Sequence, residues 1–535
     1  MLSLAAIGIL ATATGIQNSY AQDDLPLILG NETIHSLASP WRFVVEPYWH
    51  DPFPPALYRP LATAMHAMQW AAGDGNPLTF RVTSAALLIG TGLAFFGLAS
   101  LLLPRALAWS AAALFLAHPV HVEATALAVN QGELAVAALL CLATASYVRA
   151  RRQGALGAGV IAGISTCYLA ASLFKENGLV LPGLLLAAEL TVITDPRSAR
   201  ERSVEARPLY LLLALIAVIV VVARNAVLGG DTIGTPRAEV LSGSGPAARA
   251  VTMLGVVPHW LRLLFWPAQL QADYGPKEIA EGAHWGFLQW LGLALLAAWV
   301  TAVRFWRHRR PVLVFALLWI GVALLPVSNI LVPTGVILAE RTLFLASAGA
   351  AIFIGGVMPA WAERRLPQDA WRMRAALAIV AVLIALGLSG SWERNQVWRD
   401  QEALLRQTVV DAPRSYAAHL ALARFLSDSG TAAEAEPHFR EAAAIEPALV
   451  LREYAAGERF RLAGYCRPAI RRYRLPLMVR PENSAVRASL VACLLQLGRF
   501  EDVRIVAVPG LTDPANADFF RQAIRSADSA LAGAR

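Results

Sequence analysis

Two adjacent carboxylates, Asp23 and Asp24, follow almost directly on the first apolar segment of the chain. Of the 535 residues 56% are hydrophobic and only 16% are charged. Because charged residues are few, an acidic pair beside a predicted lipid–water boundary suggests a chemical role. Two neighbouring carboxylates raise each other's pKa when both are partly buried, which suits a group that accepts a proton. The alternative is that both acids only solvate a loop. That alternative is favoured unless other ionisable residues gather on the same side of the membrane.

Other ionisable residues do lie in or beside later apolar segments, in short motifs such as HPVHVEA (118 to 124) and AERTLFL (339 to 345). The candidates are three cations, four acids and two histidines: Arg59, Lys175, Arg341, Glu123, Glu133, Glu176, Glu340, His118 and His121. Charges within membrane segments are costly and usually mark function. The alternative for any one of them is an interhelical ion pair that only locks the bundle.

Metal binding is a weaker interpretation of these residues. His118 and His121 have a spacing found at metal sites, but a pair of His with a Glu at an interface is more often a hydrogen-bonding cluster. Asp23 and Asp24 offer an alternative site for Mg²⁺ or Mn²⁺. The prediction is that no metal or cofactor is needed. The four cysteines form no CxxC motif and are predicted to be free thiols.

The elements that position these residues are membrane helices. Long apolar segments rich in Ala and Gly exclude an outer-membrane barrel, and the scattered Arg residues behind the net charge of +8 do not form a nucleic-acid surface. Eleven segments of spanning or near-spanning length are predicted to cross, at about 2 to 16, 78 to 103, 106 to 119, 133 to 148, 155 to 174, 177 to 194, 208 to 227, 284 to 303, 311 to 330, 336 to 359 and 373 to 391.

Four arginine clusters set the predicted orientation, because cytoplasmic loops carry an excess of Lys and Arg. They lie at 149 to 152, 197 to 207, 304 to 310 and 364 to 374. The segment 249 to 270 is then an interfacial helix that does not cross, the first loop (about 17 to 76) is extracytoplasmic, and the acids, cations and histidines above fall at the outer face. The first segment lacks the basic leader of a signal peptide or a cytoplasmic anchor, which favours a true start upstream. Ser19 to Ala21 resemble a cleavage site, so the alternative is that residues 1 to 21 are a removed signal peptide, although the missing leader counts against it.

A repeat follows the membrane segments. Pro413, Pro447 and Pro481 are 34 residues apart, and so are Gly430, Gly464 and Gly498, which is the tetratricopeptide period. This period predicts that the small and large packing positions are Leu422, Ala423, Leu426, Ala435, Phe439, Ala442, Gly457, Phe460, Ala469 and Tyr473. The predicted organisation is a membrane domain over 1 to 391, a linker helix over 392 to 410, and about three repeats over 411 to 535 with a concave surface. The whole fold is therefore all-α, a polytopic helix bundle followed by a helical superhelix.

Five motifs followed by the repeats resemble the TMTC family of transmembrane and tetratricopeptide-repeat O-mannosyltransferases and its bacterial relatives. The motifs are YRPL (58 to 61), HPVHVEA, the triplet Lys175 to Asn177, PVSN (326 to 329) and AERTLFL. Family members usually carry an Arg after the HPVH element, and the stretch Asn130 to Glu133 lacks it. The resemblance implies a GT-C glycosyltransferase that moves a sugar, mannose by analogy, from a polyprenyl-phosphate carrier to a hydroxyl of a protein or glycan on the extracytoplasmic side.

The resemblance also implies roles for the candidate residues. Asp23 or Asp24 is the catalytic base, with Asp23 favoured, and the phosphate is held by Arg341, Arg59 and Lys175. The supporting residues are Glu123, His118, His121, Glu133, Glu176 and Glu340. The partners are the lipid-linked sugar, membrane lipid and a peptide or protein acceptor in the repeat groove, with no nucleic acid. The implied location is the bacterial inner membrane, with the repeats in the periplasm.

Two alternatives remain beside this interpretation. The first is a membrane anchor without catalytic activity, which recruits periplasmic partners through its repeats. Such an anchor would need neither Asp23 nor Asp24. A transporter is disfavoured because the polar residues gather at one face rather than at mid-membrane on broken helices.

Overall fold

The structure is a computed structural model that describes residues 1–49, 55–154, 156–194, 197–230, 241, 244–275, 279, 285–330, 332–362 and 370–533. These residues are organised in helices and turns, with no β-strand among them, so the all-α prediction is confirmed. The chain divides into two compact units, Met1–Leu404 and Leu405–Arg535. This division falls within the predicted linker helix of 392 to 410.

The first unit is a bundle built from fifteen α-helices in the described residues. In chain order they are α1 (Leu2–Thr12), α2 (Arg42–Val45), α3 (Pro60–Gly73), α4 (Pro77–Leu102), α5 (Arg105–Leu116), α6 (Val122–Ala126), α7 (Gln131–Arg152), α8 (Ala158–Phe174), α9 (Leu181–Thr191), α10 (Ala199–Val227), α11 (Pro246–Phe265), α12 (Phe287–Trp306), α13 (Pro311–Leu324), α14 (Phe344–Ala362) and α15 (Ala370–Val397).

A helix lies at each of the eleven predicted crossing positions. Within the described residues, six segments are both long and apolar enough to cross a membrane: Pro77–Leu102, Ala128–Arg152, Arg200–Val227, Phe287–Trp306, Glu340–Val357 and Leu377–Val397. These make the chain an integral membrane protein. The other five positions hold shorter helices of 11 to 17 residues. Whether each of those crosses, and in which direction, stays a prediction.

Small residues let the bundle helices approach closely, as is common in membrane proteins. The buried face of α5 is mostly alanine, and Ala111, Ala112 and Ala113 are all fully buried. A Cβ on Gly92 of α4 would lie 2.4 Å from the side chain of Leu116 of α5, so a larger residue there would force Leu116 to shift. The Thr91 hydroxyl, fully buried on α4, donates to the backbone carbonyl of Leu134 on α7 at 2.9 Å, which ties these two helices together.

Two groups of ion-paired residues lie at opposite ends of α7. At its C-terminal end, Arg151 is buried and pairs with Glu189 at 2.8 Å, while Arg202 reaches the same Glu189 at 2.9 Å. The other group begins at Glu133, in the first turn of α7, and contains the candidate site. Arg151 and Arg202 belong to two of the predicted cytoplasmic clusters. Arg364 and Arg365 of a further cluster lie outside the described residues.

The second unit consists of helical pairs. After α16 (Gln401–Asp411), which begins in the first unit, come α17 (Tyr416–Asp428), α18 (Ala432–Ile445), α19 (Leu449–Leu462), α20 (Cys466–Val479), α21 (Ser484–Gln496), α22 (Phe500–Ala507) and α23 (Ala517–Gly533). Of the predicted packing positions all are buried except Phe460, which is only partly so. Gly430, Gly464 and Gly498 end the first helix of each pair with φ of 86°, 84° and 68°, a left-handed conformation that favours glycine and explains their period.

Candidate functional site

Asp24 is held in place by three N–H donors. Its side chain is fully buried, and its carboxylate accepts hydrogen bonds from the backbone of Ala128 at 3.1 Å and of Val129 at 3.0 Å. The third donor is Nη2 of Arg81, at 3.1 Å. Because the three partners come from α4 and from the segment that leads into α7, Asp24 fixes the start of the first loop against the bundle.

Arg81 completes this anchor. Its Nη2 also donates to the backbone carbonyl of Ser19 at 2.8 Å, and its Nε donates to that of Asn18 at 3.3 Å. Arg81 lies in the first turns of α4 and was not predicted as a site residue. The available signal was a lone arginine within an apolar helix, which in a membrane usually faces a partner.

Asp23 has a different environment from its neighbour. Its side chain is half-buried and accepts no hydrogen bond from the described residues. Burial raises the pKa of Asp23, the cations of Arg341, Arg59 and Lys175 counteract this, and Glu123 adds to the rise. The carboxylate of Asp23 is therefore an unpaired acid within reach of the charges of all three predicted phosphate ligands.

Arg341, one of the three cations near Asp23, lies in a 3-10 turn, Glu340–Leu343, that precedes α14. Its guanidinium forms an ion pair with Glu123, whose carboxylate also accepts the backbone N–H of Arg341 at 2.8 Å. Glu123 lies on the short helix α6 and is buried. It therefore fixes both the backbone and the side chain of Arg341.

Lys175 follows directly on α8 and contacts Glu133, at the start of α7, at 2.7 Å. Asn177 donates to the other oxygen of Glu133 at 3.0 Å. Burial lowers the pKa of Lys175, and Glu133 opposes that change. The close approach depends on Gly132, where a Cβ would lie 3.2 Å from the carbonyl oxygen of Phe174.

Arg59 precedes α3 and donates to Glu176 from both Nη2 and Nε, at 2.8 and 3.2 Å. Arg224, near the end of α10, reaches the other oxygen of Glu176 at 2.8 Å. Burial favours the neutral acid, but these two cations prevail and lower the pKa of Glu176 to about 2. The Arg59 guanidinium also lies 5.3 Å from the ring centre of Tyr48. Neither Arg224 nor Tyr48 was predicted as a site residue.

Three predicted supporting residues are hydrogen-bonded to partners outside this group. Glu340 is fully buried, where it accepts from Arg394 at 3.2 Å and from the Tyr274 hydroxyl at 2.9 Å. His118 bonds to the backbone carbonyl of Leu264 at 3.2 Å, and its Nδ1 accepts the N–H of Val120 at 3.2 Å. His121 bonds to the hydroxyl of Ser347 at 2.8 Å. These contacts connect segments of the bundle to one another.

The donor set does not fit a divalent cation held between Asp23 and Asp24. Both oxygens of Asp24 already accept N–H groups, and the neighbouring cations would repel the ion. His118 and His121 are each committed to a hydrogen bond, and no group of three or more His, Cys, Asp or Glu placed for a metal occurs in the described residues.

The site as a whole is balanced in charge but unequally paired. Its cations are Arg59, Lys175, Arg224 and Arg341, and its acids are Asp23, Glu123, Glu133 and Glu176. Every acid but Asp23 has a guanidinium or ammonium partner. Protonation of Asp23 would leave the group with one net positive charge. This arrangement suits a reaction in which a carboxylate takes up a proton beside a bound anion.

Comparison with known proteins finds similarity to protein O-mannosyl-transferases. No family model matches the chain. The chain is similar to the protein O-mannosyl-transferase TMTC1 of Homo sapiens, 25% identical over 506 residues, which covers 83% of this chain and 55% of that protein. It is also similar to TMTC4 of Mus musculus (22% over 494 residues, 81% and 65%) and to the protein O-mannosyl-transferase F38B6.6 of Caenorhabditis elegans (22% over 459 residues, 84% and 63%). The chain spans roughly half to two thirds of the length of these relatives.

Proposed function

We propose that this relative of the TMTC protein O-mannosyl-transferases is a membrane glycosyltransferase, which moves a sugar from a polyprenyl-phosphate donor to a hydroxyl of a protein acceptor. The observation that carries the proposal is the unpaired carboxylate of Asp23 among three cations, at one end of a membrane bundle. The names of the relatives support mannose as the sugar and a protein as the acceptor. We place the reaction on the extracytoplasmic side.

In the proposed mechanism Asp23 is the general base. Its carboxylate takes the proton of the acceptor hydroxyl as the hydroxyl oxygen bonds to the anomeric carbon of the sugar. The bond between that carbon and the phosphate oxygen breaks, and its electron pair leaves with the phosphate. Burial raises the pKa of Asp23, which makes its carboxylate a stronger proton acceptor, and the three cations oppose that rise.

Arg341, Arg59 and Lys175 hold the departing phosphate in this mechanism. Arg341 and Arg59 are already oriented by Glu123 and Glu176, and a guanidinium has five N–H groups, so donors remain for an anion after each pair is formed. Cations fixed before the reaction stabilise the developing negative charge without having to move. Asp24 has no direct part in the chemistry; with Arg81 it positions the loop that carries Asp23.

The experiment compares Asp23→Asn with the wild type, using the purified full chain, radiolabelled polyprenyl-phosphate mannose and a peptide that contains Ser and Thr. A general base contributes about 10²- to 10⁴-fold, so we expect turnover to fall by that order while donor binding and thermal stability are retained. Asp74→Asn is the matched control. Asp74 is an exposed carboxylate in the same loop with φ of 49°, a conformation that Asn tolerates.

Equal turnover of wild type and Asp23→Asn would refute the role of Asp23. A wild type that binds the peptide but transfers no sugar from this donor, under conditions where a TMTC enzyme does, would instead support the silent membrane anchor.

A further inference from the structure

The second unit contains a cluster in which arginines outnumber acids. Between residues 449 and 480 the sequence has eight arginines and two acids. Four guanidiniums on two helices surround two carboxylates there, and we name these six residues the repeat cluster: Arg424, Asp428, Glu453, Arg471, Arg472 and Arg474. Arg424 and Asp428 come from α17 in the first repeat, and the remaining four come from α19 and α20 in the second.

Each acid of the repeat cluster is shared by two arginines. Glu453 pairs with Arg424 and, at 2.8 Å, with Arg472. Asp428 pairs with Arg474 and, at 3.1 Å, with Arg471. The cluster therefore has four positive and two negative charges. In three other ion pairs of this unit one arginine meets one acid: Arg461–Glu458, Arg499–Asp502 and Arg521–Asp518.

The side chains that carry the excess positive charge are partly buried in the surface of the second unit. Glu453 is only 6% exposed, Arg424 is 23% exposed and Arg471, at the outer edge, is 63% exposed. The Nε of Arg424 is buried and has no hydrogen-bond partner among the described residues. Packed cations that share too few acids repel each other, and an added carboxylate would relieve that repulsion.

We propose that the repeat cluster is a binding site for a carboxylate side chain of an acidic peptide segment. Tetratricopeptide units present extended surfaces to peptides, and a guanidinium binds a carboxylate through two parallel N–H donors. The acidic residues would be those that flank the Ser or Thr to which the sugar is transferred. Only the statement that this peptide is the acceptor rests on the proposed function. Binding itself requires no transfer, so it can be measured in a protein whose chemistry differs from our proposal.

The test uses the full chain in detergent and fluorescence anisotropy of a short labelled peptide with Thr flanked by Glu. The matched probe has Gln in place of each Glu. A carboxylate that accepts charge-assisted hydrogen bonds from two arginines should bind about tenfold or more tightly than a neutral amide in its place. The Glu peptide should therefore bind at least that much more tightly than the Gln peptide. The preference should shrink with added salt, because part of the cluster is exposed.

Variants of the repeat cluster change its charge in both directions. The double variant Arg471→Gln/Arg474→Gln makes the cluster neutral and should abolish the preference for Glu. Asp428→Asn raises its excess charge and should tighten binding of the Glu peptide. Arg521→Gln, which removes an exposed arginine from another part of the unit, should leave the affinity unchanged.

Equal affinity for the two peptides would overturn the proposal. So would a preference for Glu that persists unchanged in the double variant and in Asp428→Asn, because the carboxylates would then bind elsewhere. Thermal unfolding of each variant shows whether a loss of binding follows from a loss of folding. Asp428→Asn keeps the proposal testable in any case, since a gain in affinity cannot result from unfolding.

Discussion

Replacing Asp24 by Asn is expected to destabilise the membrane unit, in contrast to the same change at Asp23. Three N–H groups converge on the two oxygens of Asp24. Asn offers one acceptor oxygen, and its NH₂ group would face at least one of those donors. The change also leaves the charge of Arg81 without its acid, in a place where that side chain is only 2% exposed.

The size of the effect follows from the burial of the pair. Breaking a buried ion pair by removing one partner costs about 3 to 5 kcal/mol. Arg81 still donates to the carbonyls of Ser19 and Asn18, so we expect the lower end, about 3 kcal/mol. The exposed pair Arg42–Glu46 is the matched control, and Arg42→Gln should cost less than about 1 kcal/mol.

The assay is chemical unfolding of the purified chain in detergent, followed by tryptophan fluorescence, with transfer activity measured on the same samples. Adding Arg81→Gln to Asp24→Asn should recover part of the lost stability, because the uncompensated charge is then gone. The reasoning is refuted if Asp24→Asn is as stable as Arg42→Gln and yet inactive. Asp24 would then act in the chemistry itself.

Three further outcomes are expected. Because burial raises the pKa of Asp23 and the base acts deprotonated, kcat/KM should fall as the pH drops through that pKa, and Asp23→Asn should lose this acid limb. Gly178→Ala places a Cβ 2.4 Å from the backbone of Ala171 and should cost about 1 to 3 kcal/mol in unfolding, whereas Gly163→Ala, which meets open space, should not destabilise. A reporter active only in the periplasm should be active after Arg535 and silent at Arg202; the reverse pattern would invert the proposed topology.

The helices and the repeats could be predicted because their signals are local. The length of an apolar segment indicates a membrane helix without knowledge of its neighbours. The period of 34 residues indicated the repeats because each repeat packs mainly on the next. The second unit buries Ala423, Phe439 and Tyr473 as this period predicts.

The candidate site could be predicted only in part, because its members are distinguished by distant partners. Asp23 and Asp24 look equivalent in the sequence, yet Asp24 accepts from backbone groups 104 and 105 residues away. Glu340 and Arg341 are also adjacent, and only Arg341 lies within reach of Asp23, while Glu340 pairs with Arg394. No local pattern contains that information, since it depends on which helices meet.

Helix α7 has an ion pair at each end, Glu133 with Lys175 and Arg151 with Glu189. Arg151 lies eighteen positions after Glu133, which corresponds to about 27 Å of helix, close to the roughly 30 Å of a bilayer's hydrocarbon layer. A shift of one turn along the membrane normal would draw a charge into hydrocarbon at a cost of at least about 2.5 kcal/mol. In a thinner or thicker bilayer the lipid therefore has to deform around α7. Asp23 interacts with Lys175, the partner of Glu133, so the lipid-linked donor proposed above would meet its carboxylate at one depth whatever the length of the lipid chain.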